Sequence, residues 1–217
     1  MENVNLYIFM AIAVPLSATL LICKGRSRTS MLFVIVGMTV CLFAGEVNAL
    51  LFRASGYPLK FYAINVSPLV EELCKSVPLF LYVYILRPPK QTILQCAVSL
   101  GVGFAILENA AAISRSYYAM DFMNALARAF GSGLMHAITT LWIGCGLILI
   151  YLNRKLFYTG STAVLVSAAI FHSIYNALIG SSLEIAGLLV PLACLIPLSE
   201  LLIKKRINKI GSNAERK

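Results

Sequence analysis

The chain has 217 residues, of which 59% are hydrophobic and only 12% charged, and its mean hydropathy is +0.84. Soluble domains carry about 25% charged residues, so this composition excludes an ordinary soluble protein and predicts an integral membrane protein. The net charge of +9 does not indicate nucleic-acid binding, because the basic residues lie in short runs between apolar stretches and not on one basic face.

In chain order the sequence contains seven apolar segments, each close to the roughly 20 residues that a membrane-spanning helix requires. They cover residues 4–23, 31–52, 60–86, 92–113, 122–151, 160–181 and 184–203. We therefore predict an all-α fold, a polytopic transmembrane helical bundle of about seven spans. It forms a single integral membrane domain over residues 1–217.

The basic residues between the segments are distributed unevenly over the two predicted sides of the membrane. One side holds thirteen of them: Lys24, Arg26, Arg28, Arg87, Lys90, Arg154, Lys155, Lys204, Lys205, Arg206, Lys209, Arg216 and Lys217. The loops on the other side hold only Arg53, Lys60 and Arg115. Because cytoplasmic loops are enriched in Lys and Arg, we predict an outside N-terminus and a cytoplasmic C-terminus.

Four of the predicted helices carry ionisable residues at a depth where lipid disfavours them. They are Glu71, Glu72 and Lys75 in the third segment, Glu108 beside Asn109 in the fourth, Arg128 and His136 in the fifth, and His172 with Asn176 in the sixth. A charged side chain at the middle of a bilayer costs about 2.5–3.5 kcal/mol, so each one needs a partner, water or a function. Both histidines of the protein belong to this set, which favours a functional site.

Helical spacing predicts that these side chains converge. Glu71 and Glu72 lie four and three residues before Lys75, so both carboxylates can reach one ammonium group. The small residues that flank the polar positions include Gly101, Gly103, Gly131, Gly133, Ala168 and Ala169. Small residues let transmembrane helices approach closely. We expect one cavity, open to the outside, between the third and sixth segments.

Hydrolysis by a glutamate-activated water fits this set. A carboxylate that shares an apolar cavity with a second carboxylate can act as a general base near neutral pH, and Glu71 or Glu72 suits that role. His136, His172 and Asn176 can donate hydrogen bonds to an oxyanion.

A metal-bound water is a second mechanism that spacing alone leaves open. Glutamate and histidine are zinc ligands, although the sequence contains no HExxH. The candidate ligands are Glu71, Glu108, His136 and His172. In either mechanism we interpret Lys75 and Arg128 as counter-ions of buried carboxylates.

Other functions fit less well. Ser132 is only four residues from His136 on one helix, which disfavours a serine mechanism. An aspartyl mechanism is excluded because the only aspartate of the sequence, Asp121, is in a predicted loop. A proton-coupled transporter is the alternative from another class, because buried Glu and His also form proton relays. Such transporters carry inverted repeats, and none is visible here. A catalytically silent scaffold is a third alternative.

Four short motifs resemble those of a known family. They are EExxK at 71–75, GFAxxEN at 103–109, an arginine and a histidine at 128 and 136, and HxxYN at 172–176. In this order they resemble the PrsW family of intramembrane proteases, which is similar to the CAAX prenyl endopeptidase and bacteriocin-processing superfamily. The resemblance covers residues 68–178, where we expect the catalytic motifs.

The resemblance implies roles for the motif residues. These are water activation for Glu71 and Glu72, further active-site roles for Glu108 and His136, oxyanion binding for His172 and Asn176, and support for Asn109, Lys75 and Arg128. We favour a glutamic mechanism without a cofactor, with zinc as the alternative cofactor.

The resemblance also implies a substrate and a location. PrsW proteins are bacterial proteases of the cytoplasmic membrane that make the first, extracytoplasmic-side cut in an anti-sigma factor. The implied partners are therefore a single-span membrane protein such as an anti-sigma factor and the lipid bilayer, with no nucleic acid. The loop at 24–28 is basic where many members carry an acidic, proline-containing loop, a departure that bears on the substrate.

Overall fold

The computed structural model describes residues 25–115, 122–152 and 154–179, together with positions 181, 189–191 and 193. Side chains are described for these residues except at 122–128, 151, 152 and 154. The helices are α1 Gly25–Ser55, α2 Leu59–Asn65, α3 Ser67–Leu86, α4 Lys90–Arg115, α5 Phe122–Leu152 and α6 Phe157–Ile179, with a 3₁₀ turn over Arg154–Leu156. These ranges contain no strand, so the all-α prediction is confirmed for the described part of the chain.

Five of the seven predicted segments fall within the described residues. The segments 31–52, 92–113 and 122–151 lie inside α1, α4 and α5, the segment 160–181 corresponds to α6, and the segment 60–86 divides into α2 and α3. The first segment, 4–23, lies outside the described residues, and the last, 184–203, lies almost entirely outside them. Seven spans and the orientation of the termini stay predictions.

The break between α2 and α3 has a local cause. The backbone N–H of Val66 donates to the carbonyl of Tyr62 at 2.9 Å and closes the last turn of α2. Pro68 follows in the first turn of α3, where its missing N–H leaves no helical bond unmade. The break lets α2 change direction and contact the end of α6, where the Asn176 side chain donates to the Ala63 carbonyl at 3.1 Å.

Among the described residues, four helices are long and apolar enough to cross a membrane, namely α1, α4, α6 and the part of α5 from Ala129 to Ile150. At 20 residues, α3 is about 30 Å long and also matches the hydrocarbon core, but it carries three charged residues. Its opposite face is an apolar stripe, 45–69% exposed, formed by Leu69, Leu73, Val77, Leu81 and Ile85. This helix therefore turns an apolar face towards lipid and a charged face towards the bundle.

Among the described side chains the two ends of the bundle differ in the number of basic residues, with five at one end and three, Arg53, Lys60 and Arg115, at the other. At one end α1 and α4 begin side by side, with Arg26 donating to the Gln91 side chain at 3.2 Å. This basic end carries Arg26, Arg28, Arg87, Lys90 and Lys155 among the described side chains. At the other end, here called the cavity end, α1, α4 and α6 terminate and α3 and α5 begin.

Glycines on α1 and α4 set how closely α4 approaches its neighbouring helices. A Cβ atom at Gly37 or Gly103 would meet the backbone of the facing helix, so α1 and α4 touch backbone to backbone. A Cβ atom at Gly101 would likewise meet the His136 carbonyl on α5. The predicted role of Gly101 and Gly103 in close packing is confirmed, and the Gly101 contact holds His136 against α4.

Candidate active site

The predicted glutamates and histidines lie on four helices and meet at one place in the bundle. Glu71, Glu72 and Lys75 come from α3, Glu108 from α4, His136 from α5 and His172 from α6. Five of the six are buried, and the side chain of Glu108 is 28% exposed. Charged groups are stable in such surroundings only when they pair and hydrogen-bond with one another.

Glu72 lies at the centre of this cluster and is fully buried. Its Oε1 atom accepts hydrogen bonds from Lys75 Nζ at 2.6 Å and from His172 Nδ1 at 2.8 Å. Because a carboxylate only accepts, the bond to Glu72 places a proton on His172 Nδ1. In the neutral imidazole this leaves the lone pair on Nε2, which lies 3.8 Å from Glu71 Oε2.

Lys75 continues the chain of contacts towards α5 and α4. Its Nζ atom lies 3.0 Å from His136 Nδ1, and His136 Nε2 lies 2.6 Å from Glu108 Oε2. An ammonium group has only donors, so it pairs with an unprotonated Nδ1, and His136 then donates its Nε2 proton to Glu108. The Phe104 ring lies 4.8 Å from Lys75 Nζ and encloses this part of the cluster.

Glu71 is held on one oxygen only. Its Oε1 atom accepts a hydrogen bond from the Ser67 hydroxyl at 2.7 Å, while Oε2 is buried and has no hydrogen-bond partner among the described residues. Buried carboxylate oxygens without a partner are rare, because leaving one unsatisfied costs about 1–3 kcal/mol or more. The unpartnered Oε2 therefore identifies a position that a further group, such as water, a substrate or a metal, would fill.

Asn48 on α1 is an outer member of the cluster that the sequence analysis missed. Its Nδ2 atom donates to Ser67 Oγ at 2.9 Å, and its Oδ1 atom accepts from the Tyr62 hydroxyl at 3.1 Å. The chain Tyr62–Asn48–Ser67–Glu71 thus fixes the Glu71 carboxylate from α1 and α2. Asn48 is polar in an apolar segment, but it lies near the segment end, where polar residues are common at the membrane interface.

A cavity of about 330 Å³ opens beside the cluster at the cavity end. Glu71 and Glu108 both line it, so two carboxylates from different helices share its wall. The Ser132 hydroxyl lines it as well and donates to Glu108 Oε2 at 3.2 Å. Glu72, His136 and His172 are not among the described residues that line the cavity, but His136 contacts Glu108 and His172 contacts Glu71.

The predicted supporting residues fall in three different places. Asn176 lines the cavity. Asn109 follows Glu108 on α4 but lines a separate groove between α4 and α5, so the structure does not bring it to the cavity. Lys75 is inside the cluster, and the side chain of Arg128 lies outside the described part of the chain.

Glu71, His136 and His172 also form a donor set for a metal ion. Their candidate ligand atoms lie within 4.8 Å of one another, and one carboxylate with two imidazoles is a known catalytic zinc set. The unpartnered Glu71 Oε2 fits, as does His172, whose other nitrogen is held by Glu72 in the manner of histidine ligands. His136 fits by type and position, although its bonds to Lys75 and Glu108 engage both nitrogens.

A family model described as PrsW family intramembrane metalloprotease matches residues 26–202. No curated protein and no solved structure matches the chain. The matched range is most of the 217 residues and contains every member of the buried cluster. The chain therefore belongs to the PrsW family and is an intramembrane protease.

Proposed function

We propose that the protein is an endopeptidase in which Glu71 activates a water molecule for attack on a peptide bond of a membrane-anchored protein. The observation that carries the proposal is the state of Glu71, which lines the cavity with one oxygen held by Ser67 and the other without a partner in the described structure. A general base has to reach the proton that it removes, and no described protein donor occupies this oxygen, so it can accept a proton once a water reaches it.

The proposed reaction uses Glu71 first as base and then as acid. Its carboxylate takes one proton from water while the water oxygen bonds to the carbonyl carbon, and the carbonyl oxygen becomes an oxyanion. The C–N bond then breaks as the proton passes from Glu71 to the leaving nitrogen. The products are a carboxylic acid and an amine, so one water molecule is consumed for each bond cut.

The other cluster residues have supporting roles in this proposal. Asn176 lies on the cavity wall and donates to the oxyanion, whereas His172 does not line the cavity and contacts Glu71 instead. Glu108, held by His136 and Ser132, is the second carboxylate facing the water. The contacts of Glu72 favour a positioning role, because it holds His172 and Lys75 and is not among the described residues that line the cavity.

A zinc-dependent version of the same protease is the second candidate, favoured by the Glu71–His136–His172 donor set and the family description. A bound zinc ion supplies a water that ionises near neutral pH and a positive charge for the oxyanion. The Lys75–His136 contact favours the metal-free version, since a His136 that donates from Nε2 has no lone pair left for a metal.

The charge of the bundle ends supports an extracytoplasmic cut. The basic end fits the cytoplasmic side by the positive-inside rule, so the cavity faces the opposite surface. We propose a single-span protein such as an anti-sigma factor as the substrate, cut near that surface in the bacterial cytoplasmic membrane. The motif resemblance to PrsW proteases supports this substrate class.

Glu71→Gln in purified protein reconstituted with a single-span reporter tests the proposed function. We expect cleavage to fall by about 10²–10⁴-fold, the usual contribution of a general base, with unchanged thermal stability. Glu46→Gln is the matched control, because Glu46 is an exposed glutamate on α1 at the same end of the bundle. Full activity of the Glu71 variant would contradict the proposal.

Metal content separates the two mechanisms. The zinc version predicts about one zinc per chain by elemental analysis, loss of that zinc in His172→Ala, and inhibition by a chelator. An active preparation without zinc would exclude it and leave the glutamate mechanism.

A further inference from the structure

A second concave region lies along the contact between α4 and α5. It is a groove of about 710 Å³, which we call the α4–α5 groove. Its walls are almost wholly apolar and include Val102, Ile106 and Leu134. In the part of the chain that the structure describes, the groove and the cavity share no lining residue.

One wall of the groove has the form of a helix-docking surface. Ala129, Gly133 and Ala137 recur at intervals of four along α5 and all line the groove. Small residues at this spacing let a second transmembrane helix approach to backbone distance. The space over Gly133 is open, because an added Cβ atom would find no described atom within 4 Å. By contrast, Gly101 is already covered by the His136 backbone.

The opposite wall carries an unsatisfied polar atom. Asn109 on α4 is only 9% exposed, and its Oδ1 atom is buried without a hydrogen-bond partner among the described residues. The same residue lines the groove. An acceptor left unpaired in an apolar region is costly, so the groove favours an occupant that offers an N–H or O–H donor at this depth.

The groove lies next to the catalytic cluster in sequence and in space. Asn109 follows Glu108, Gly133 follows Ser132 and Ala137 follows His136. Successive helical residues point about 100° apart, so these pairs face the groove and the cluster from the same turns of α4 and α5. Both regions lie towards the cavity end.

We propose that the α4–α5 groove is an exosite that docks the transmembrane helix of the substrate, with Asn109 accepting a hydrogen bond from it. This inference rests on the proposed protease function. The substrate helix would carry small residues against Gly133 and a hydroxyl, amide or unwound backbone N–H donor against Asn109. Beyond the docked helix, an extended strand of about five residues covers some 17 Å, more than one helix diameter, and so can reach the cavity.

The two walls favour a polypeptide helix over the other occupants of a bilayer. A lipid acyl chain fills apolar space but has no donor for Asn109. A second copy of the chain would need a small-residue face with a donor of its own. A substrate segment with small residues and one donor would meet both conditions and, unlike these alternatives, is required beside the cluster for each turnover.

Site-specific photo-crosslinking in lipid vesicles tests the docking. The probe is a synthetic Leu-rich span of about 20 residues with one Gly-x-x-x-Gly pair, one Ser and a polar extension. The comparison peptide replaces the Gly and Ser residues by Leu. Benzoylphenylalanine replaces Ile106 in the groove or, as a matched control, Ile174, a lipid-exposed isoleucine on α6. We expect capture of the Gly/Ser peptide from position 106 only.

Two substitutions probe the walls separately. Gly133→Leu fills the groove and should weaken capture at least about tenfold, whereas Gly45→Leu, at another open glycine on α1, should not. Asn109→Leu should weaken capture of the Ser-containing peptide about three- to tenfold while leaving stability equal or higher, since it removes an unpaired buried atom. If Asn109 only supported the fold, Asn109→Leu would instead lower the free energy of unfolding.

The outcomes separate this proposal from the protease function. Equal capture of both peptides, capture of lipid alone, or capture of a second copy would overturn the exosite. If the extended probe is cut, Gly133→Leu should raise KM with kcat unchanged, whereas Glu71→Gln should lower kcat. Cleavage that Gly133→Leu leaves untouched refutes docking in the groove. Capture without cleavage refutes the protease function for this probe and leaves the docking surface standing.

Discussion

The cavity and the α4–α5 groove are built from the same two helices in opposite ways. On the cavity side, ionisable residues from four helices bond to one another at 2.6–3.0 Å, as Glu72, Lys75, His136 and Glu108 do, while the Oε2 atoms of Glu71 and Glu72 have no partner among the described residues. On the groove side, apolar and small residues surround one amide oxygen, that of Asn109, which has no partner in the described structure.

The difference shows that the two regions are stabilised in different ways. The members of the cluster hold one another in place, because removing any one of them leaves a buried charge or hydrogen-bonding atom unpaired. Among the described side chains, no bond inside the groove holds its walls, and in our proposal the substrate helix fills it. Catalytic geometry and substrate docking can therefore be perturbed separately, although they lie on adjacent faces of α4 and α5.

The largest expected effect is loss of the buried ion pair. Lys75→Met leaves the fully buried Glu72 without its cation and removes the donor to His136. We expect the free energy of unfolding in detergent to fall by about 3–5 kcal/mol. The double variant Glu72→Gln/Lys75→Met should recover part of that loss. If the single variant is as stable as the original protein, the members of the cluster do not hold one another in place.

Two glycines, one in the α4–α5 contact and one in the groove, should respond differently to substitution by alanine. Gly101→Ala forces a Cβ atom into the His136 carbonyl and should lower the free energy of unfolding by about 1–3 kcal/mol. Gly133→Ala enters open space and should leave stability unchanged or raise it by up to about 1 kcal/mol through helix propensity. If both substitutions changed the thermal unfolding of the protein equally, Gly101 and Gly133 would not differ in how tightly they are packed.

A smaller effect should come from the outer contact to Glu71. Asn48→Ala removes the donor to Ser67, which orients the Glu71 carboxylate. We expect kcat to fall about tenfold through misplacement of the base, with KM unchanged. Asn65→Ala is the control, because Asn65 bonds only to a carbonyl of its own helix among the described residues. Equal kcat in the two variants would show that Asn48 does not position Glu71.

Much of this arrangement could be predicted from the sequence, because lipid makes polar residues conspicuous. Glu72, His136 and His172 stand out in apolar segments, and a bilayer leaves such residues few places except a shared interior. Spacing also predicted close packing at Gly101. The helices followed from segment length, with boundaries shifted by only a few residues.

The parts that spacing could not predict depend on rotation around helices and on contacts between them. Asn109 lies in the same motif as Glu108, yet a turn of about 100° directs it to the groove. The position of Asn48 near the end of its apolar segment is typical of an interfacial residue, and only the structure shows its bond to Ser67, which in turn bonds to Glu71. Pro68 could have signalled the α2–α3 break, but the sequence analysis treated residues 60–86 as one apolar segment.

The charged face of α3 also has a consequence for how the protein is made. This helix leaves the ribosome early, yet the partner of Glu72 on α6 comes 100 residues later and the α5 partner of Lys75 comes 61 residues later. A lone α3 enters lipid poorly, because each ionisable residue opposes its insertion. We expect the nascent α3 to remain in or beside the protein-insertion channel until α5 and α6 have been synthesised. We therefore expect the protein to be able to cut only after α5 and α6 have joined the bundle.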